Sequence, residues 1–150
     1  CLQWLATQDL QGKDTVDYGC GSGILAIAAA LLGAQSVQDV DNDPQAVLAT
    51  NDNCERNGLL PGRVGTFLPE EYDSMSTPES VDILLANILA APLLSLASKF
   101  ASLVKPKGSI VLSGLLAEQA DAITEIYSEW FEMSAAVQRE DWIRLSGIKR

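Results

Sequence analysis

Short apolar runs alternate along the chain with longer stretches in which apolar residues recur every three or four positions. Leu2, Trp4, Leu5 and Leu10 predict an opening helix, and residues 15–18 a short strand that runs into glycines at 19, 21 and 23. Residues 24–32 read as helix, with Gly33 where a C-terminal glycine cap belongs. Residues 37–41 read as a second strand, although Gln38 and Asp39 interrupt its apolar pattern. Asp43 and Pro44 then suit the N-cap and first turn of a helix that ends near Asn57 and Gly58. Residues 64–68 are a third strand candidate, and the polar, acidic stretch 69–80 is expected to be a surface loop. Residues 81–86 are apolar enough for a buried parallel strand. A helix over 92–103 is stopped by Lys105-Pro106-Lys107-Gly108, and 109–113 form a fifth strand. A helix over 117–130 precedes a hairpin, 131–137 and 142–147, around Arg139, Glu140 and Asp141. This alternation predicts an α/β fold: a mostly parallel sheet covered by helices on both faces, with an antiparallel hairpin at its C-terminal edge.

Composition narrows the chemistry. At 150 residues the chain suits one domain, and 47% hydrophobic residues are enough for a core. Ten basic residues against 20 acidic ones give a net charge of −10. That balance argues against direct nucleic-acid binding and suits a basic partner. The chain contains no histidine, which removes Ser–His and Cys–His catalysis, histidine general bases and histidine metal ligands. Cys1, Cys20 and Cys54 are odd in number and widely spaced, so no disulfide framework or zinc site is expected and a reducing, cytoplasmic compartment is. The longest apolar run, residues 24–32, is too short for a bilayer. The opening residues carry neither a signal peptide nor an initiator methionine, which reads as a fragment of a longer protein.

The segment Asp17-Tyr18-Gly19-Cys20-Gly21-Ser22-Gly23 is the most informative stretch. It lies between a strand and a helix, where a nucleoside-cofactor loop must lie. Alternate glycines let the backbone turn sharply and a ligand come close. The spacing is GxGxG rather than the GxGxxG of dinucleotide folds, and Asp17 would repel a pyrophosphate; a loop that receives a cationic ligand fits better. Asp41 ends the next strand, eighteen residues after Gly23, where a carboxylate can bind both hydroxyls of a ribose. Asp39 and Asp43 are rivals, the first placed within the strand and the second as a helix cap. Asn87 follows the fourth strand, at the carboxyl edge where open α/β sheets bind ligands. It reads either as a substrate-holding amide or as a turn or capping residue. Cys20 reads as a small loop residue, Asp9, Glu70, Glu71 and Asp73 as solvated surface, and Trp4, Trp130 and Trp142 as packing.

Asp17-x-Gly19-x-Gly21-x-Gly23 followed by Asp41 resembles the S-adenosylmethionine site of class I methyltransferases. More finely, the chain is similar to the PrmA family of ribosomal-protein methyltransferases. The likeness is carried by Asp17 to Ile27, Asp43-Pro44-Gln45-Ala46, Asn53-Cys54-Glu55-Arg56-Asn57-Gly58 and Ala86-Asn87-Ile88-Leu89-Ala90, and it covers nearly the whole chain. The resemblance implies a Rossmann-like catalytic domain that binds S-adenosylmethionine through Asp17, Gly19, Gly21, Gly23, Asp41 and Asn87, with no metal. It implies methylation of lysine and N-terminal amines on a large-subunit stalk-base ribosomal protein by a monomer. Asn87 would stand where amino-methyltransferases carry Asn-Pro-Pro-Tyr, and would accept hydrogen bonds from the target amine. The family's N-terminal substrate-recognition domain has no counterpart in this sequence. A methyltransferase for another protein or a small amine, a non-catalytic cofactor-binding module and an NAD-type oxidoreductase are the competing readings.

Overall fold

A computed structural model describes every residue except Cys20, so the reading of that residue as a small loop side chain lies outside the described residues. The chain folds as two compact units, Leu2–Ser76 and Thr77–Arg150 with Cys1.

The first unit is built on three parallel strands, β1 (Asp14–Tyr18), β2 (Ser36–Val40) and β3 (Val64–Phe67), with β2 in the middle. Parallel neighbours require helical crossovers, and α2 (Ile24–Leu31) and α3 (Pro44–Arg56) supply them after a short opening helix, α1 (Leu2–Leu5). In α2, Leu25, Ala26, Ile27, Ala29 and Ala30 are buried, and Gly33 follows its end at φ 99°, where the glycine cap was expected. Asp43 caps α3 as expected, its Oδ1 accepting the Gln45 amide at 2.9 Å with Pro44 in the first turn.

One element departs from expectation. The acidic segment after β3 is a helix, α4 (Pro69–Met75), and not a loop. Pro69 opens it, and Glu71 Oε2 accepts the Leu68 amide at 2.9 Å, so the acid serves as a cap. Tyr72 then turns inward to 1% exposure, its ring edge-on to Tyr18 with centroids 6.4 Å apart and beside Phe67 at 6.2 Å. Burying that ring is worth about 2 kcal/mol and anchors a segment that is otherwise polar.

The second unit pairs β4 (Val81–Asn87) in parallel with β5 (Val104–Leu116), which pairs antiparallel with β8 (Trp142–Lys149). Helices α5 (Ala90–Leu103) and α6 (Ala117–Tyr127) form the connections. Helix α5 begins two residues before Pro92, which sits in the first turn, where a missing amide hydrogen costs no helical bond. Strand β5 starts directly at Val104. The Lys105-Pro106-Lys107-Gly108 stretch is an irregularity within it, with Lys105 Nζ on Asp82 at 2.9 Å. The first arm of the expected hairpin is broken into β6 (Phe131–Met133) and β7 (Val137–Arg139), both on β8. Three residues lie between Met133 and Val137, but only two between their partners Gly147 and Arg144, so an extra residue loops out.

Candidate functional site

The first cluster of candidate residues lies at the carboxyl ends of β1 and β2. Tyr18 and Val40 are register partners, so Gly19 and Asp41 leave the sheet at the same edge. The Gly19 amide donates to the Val40 carbonyl at 2.6 Å, and the Asp41 amide to the Phe67 carbonyl at 3.2 Å. Beyond those bonds the chain turns through Gly19 at φ 82°, Gly21 at φ 56° and Gly23 at φ 78°. At Gly21 a Cβ would meet nothing within 4 Å, so one face of the loop is open. At Gly23 the reverse holds: a Cβ would lie 2.5 Å from Thr50 Cγ2, so α3 packs directly on the loop backbone.

Two carboxylates hold this loop. Asp41 Oδ2 accepts the Gly21 amide at 3.0 Å while its Oδ1 accepts the Asp43 amide at 2.9 Å. Asp17 is buried at 1% exposure, and its Oδ2 accepts the Ala26 amide at 3.2 Å, in the first turn of α2. Its Oδ1 is buried and meets no hydrogen-bond partner among the described residues. Burial, and then the buried Asp39 carboxyl paired in register with it, push the Asp17 carboxyl well above the ordinary carboxylate range; the Ala26 amide pulls the other way. Asp39 is fully buried within β2, as its place in the strand implied, and it also raises the buried Cys54 thiol, after burial itself.

The second cluster lies at the carboxyl end of β4. Asn87 is the last residue of the strand and is exposed. It does not cap α5: the N-cap is Leu89, without a side-chain bond. Instead Asn87 Oδ1 accepts a hydrogen bond from Ser113 Oγ at 2.9 Å, on the register partner in β5. Ser113 Oγ also lies 3.0 Å from Cys1 Sγ. Sequence reasoning missed Ser113, because its link to Asn87 spans 26 residues and a serine at a strand end carries no local signature. No cluster of three or more His, Cys, Asp or Glu among the described residues could hold a metal ion.

The loop can accommodate a nucleoside cofactor bearing positive charge. Its open glycine face, its two carboxylates and the buried oxygen of Asp17 are the features such a ligand needs. A family model for ribosomal protein L11 methyltransferase (PrmA) matches residues 1–150. The chain belongs to the PrmA family.

Relatives of PrmA type are close in sequence. The chain is 49% identical over 150 residues to the ribosomal protein L11 methyltransferase of Pseudomonas paraeruginosa, and 50% identical to that of Tolumonas auensis. All of this chain but 50% of each relative is matched, so it spans about half the length of these curated relatives. A crystal structure of a ribosomal protein L11 methylase from Lactobacillus delbrueckii subsp. bulgaricus superposes with a TM-score of 0.89 at 27% identity. The match covers 99% of this chain and 76% of that one. A methyltransferase structure from Aquifex aeolicus shares the fold at a TM-score of 0.77 and 15% identity, over 99% of this chain and 87% of that one. The chain is thus a mixed α/β protein of the Rossmann-like methyltransferase class, mostly parallel with antiparallel C-terminal strands.

Proposed function

We propose that residues 1–150 form the catalytic domain of an S-adenosylmethionine-dependent N-methyltransferase. In this reading it acts as a monomer in the cytoplasm on lysine side chains and the N-terminal amine of ribosomal protein L11. The observation that carries the reading is the Gly19–Gly23 loop tied to Asp41, with Asp17 buried beneath it. The match to relatives that bear the L11 methyltransferase name supports the substrate.

In this reading Asp41 binds the ribose hydroxyls, a role its position at the end of β2 suits. The loop backbone at Gly19, Gly21 and Gly23 would lie against the amino-acid part of the cofactor, with the open side at Gly21 and the Gly23 side closed by Thr50. Asp17 orders the loop from below and, once a cation displaces its proton, would set a negative charge in reach of an ammonium or sulfonium. The cofactor, when bound, supplies an electrophilic methyl group and its own thioether leaving group. What remains for the chain is to hold a neutral amine in line and dry. Asn87 Oδ1 accepts an N–H of that amine and turns the nitrogen lone pair toward the methyl carbon. The amine so held would be aligned with the methyl group that the cofactor supplies, and no histidine among these 150 residues would take the proton it gives up.

The test is calorimetry with S-adenosylmethionine and NAD on the full-length protein, followed by methylation assays of Asn87→Ala. Binding of S-adenosylmethionine alone, and an Asn87→Ala enzyme that transfers methyl groups about a hundredfold more slowly even when saturated with it, are the expected results. Tighter binding of NAD, or an Asn87→Ala enzyme as fast as wild type, would remove the cofactor or the catalytic assignment respectively.

A further inference from the structure

Strand β5 does not run straight past Asn87. Opposite β8, Leu112 pairs with Leu145 and Leu115 with Ile143, so two residues, Ser113 and Gly114, face the single residue Arg144. This is a β-bulge, the device that re-aims one side chain out of an otherwise regular ladder. On its other side the bulge meets the end of β4. Ser113 Oγ donates to Asn87 Oδ1 at 2.9 Å, and Gly114, at φ 84°, lies against the backbone of Ile88. A Cβ on Gly114 would stand 2.6 Å from the Ile88 carbonyl oxygen and 3.2 Å from its nitrogen, so only glycine lets the strands approach this closely. Serine and glycine thus hold consecutive residues, Asn87 at the end of β4 by a hydrogen bond and Ile88 just beyond it by lack of bulk.

We propose that the Ser113–Gly114 bulge sets the catalytic orientation of Asn87, with Ser113 as a positioning residue. The inference rests on the reading of Asn87 as the amine-holding group. An Asn side chain has two faces that differ only in which end is O and which is NH2, and an exposed amide turns easily about χ2. A donor on the protein side selects the oxygen. Ser113 occupies one lone pair of Oδ1 and leaves the second for an amine N–H. The thiol of Cys1, within 3.0 Å of Ser113 Oγ, can donate to that oxygen and commit the Ser113 hydrogen to Asn87. Without the hydroxyl the amide can present its NH2 end, a donor facing a donor, and the amine loses its alignment.

The experiment is a pair of substitutions in the full-length protein, read by kcat and KM for the protein substrate, by S-adenosylmethionine affinity and by thermal melting. Ser113→Ala is expected to lower kcat about tenfold, with cofactor affinity and melting temperature unchanged. Ser113→Thr, which keeps the hydroxyl, is expected to restore most of the rate. In an Asn87→Ala background Ser113→Ala should cost nothing further, because its effect passes through Asn87. If Ser113→Ala does not fold, Ser113→Cys, with a weaker donor of similar size, carries the same expectation. A Ser113→Ala enzyme with wild-type kcat, or one whose loss adds fully to that of Asn87→Ala, overturns the positioning role and leaves Asn87 itself standing. A wild-type rate in Asn87→Ala overturns the reading beneath it.

Discussion

Asp41 Oδ2 accepts the backbone amide of Gly21 at 3.0 Å, so the carboxylate at the end of β2 holds the tip of the glycine loop. The same residue serves loop order and, in the proposed reading, ribose binding. Asp41→Ala should therefore weaken S-adenosylmethionine binding by more than one lost ribose contact would. A hydrogen bond to a charged group is worth about 1.5–3 kcal/mol. Loss of the ribose contacts together with the loop tie should raise the dissociation constant by about a hundredfold or more. Titration calorimetry checks this, and a change below about threefold would separate Asp41 from the cofactor.

Asp17 makes the account sensitive to pH. Its carboxyl is held well above the ordinary range, first by burial and then by Asp39. The folded state thus binds a proton that the unfolded state has already lost above about pH 4. The stability that comes from holding this proton is fully present below that pH and fades as pH rises through the raised folded value. Asp17→Asn should flatten that decline in a melting-temperature profile. A cationic cofactor should also expel the proton. Binding of S-adenosylmethionine in this window should release protons. Calorimetry in buffers of different ionisation enthalpy reads the release; binding without it would contradict the placement of charge over Asp17.

Gly23 is required by its neighbour as well as by its backbone. A Cβ there would meet Thr50 Cγ2 at 2.5 Å and Oγ1 at 2.7 Å, on top of a φ of 78°. Gly23→Ala should destabilise by about 1–3 kcal/mol through overpacking, measured by denaturant unfolding. Thr50→Ala in the same chain should recover part of that loss. The backbone share, about 1 kcal/mol, should remain.

Two buried tyrosines give opposite expectations. Tyr127 OH donates to the Leu93 carbonyl at 2.8 Å, from α6 to α5, and burial pushes its phenol up. Tyr127→Phe removes that bond and should cost about 1 kcal/mol. Tyr72 OH, pushed up to about 12 chiefly by burial, meets no hydrogen-bond partner among the described residues. Tyr72→Phe should leave stability unchanged or raise it. Paired unfolding curves decide, and a larger loss for Tyr72→Phe than for Tyr127→Phe would contradict the bonding described.

What the sequence made legible follows the range of the interactions. The glycine loop, its buried aspartate and the capped start of α3 are written in consecutive residues, and each could be located in advance. Asp41 was legible too, because the distance from loop to second-strand end varies little in this architecture. Helix α4 was not, because three of its seven residues are acidic and its one inward ring, Tyr72, offers no periodic stripe. Its signal was subtler: proline at the first position and Glu71 as a cap. The Ser113–Gly114 bulge was not legible for another reason. A bulge exists only relative to its partner strand, and its partners, Asn87, Ile88 and Arg144, lie 25 or more residues from it. The same holds for the break between β6 and β7, which depends on the count of residues in β8.

The most direct test is to incubate the full-length protein with ribosomal protein L11 and labelled S-adenosylmethionine, and to map the methyl groups by mass spectrometry. The account predicts label on lysine side chains and the N-terminal amine with wild type, and about a hundredfold less with Asn87→Ala at saturating S-adenosylmethionine. Label confined to other proteins or to small amines, or wild-type labelling of L11 by Asn87→Ala, would contradict it.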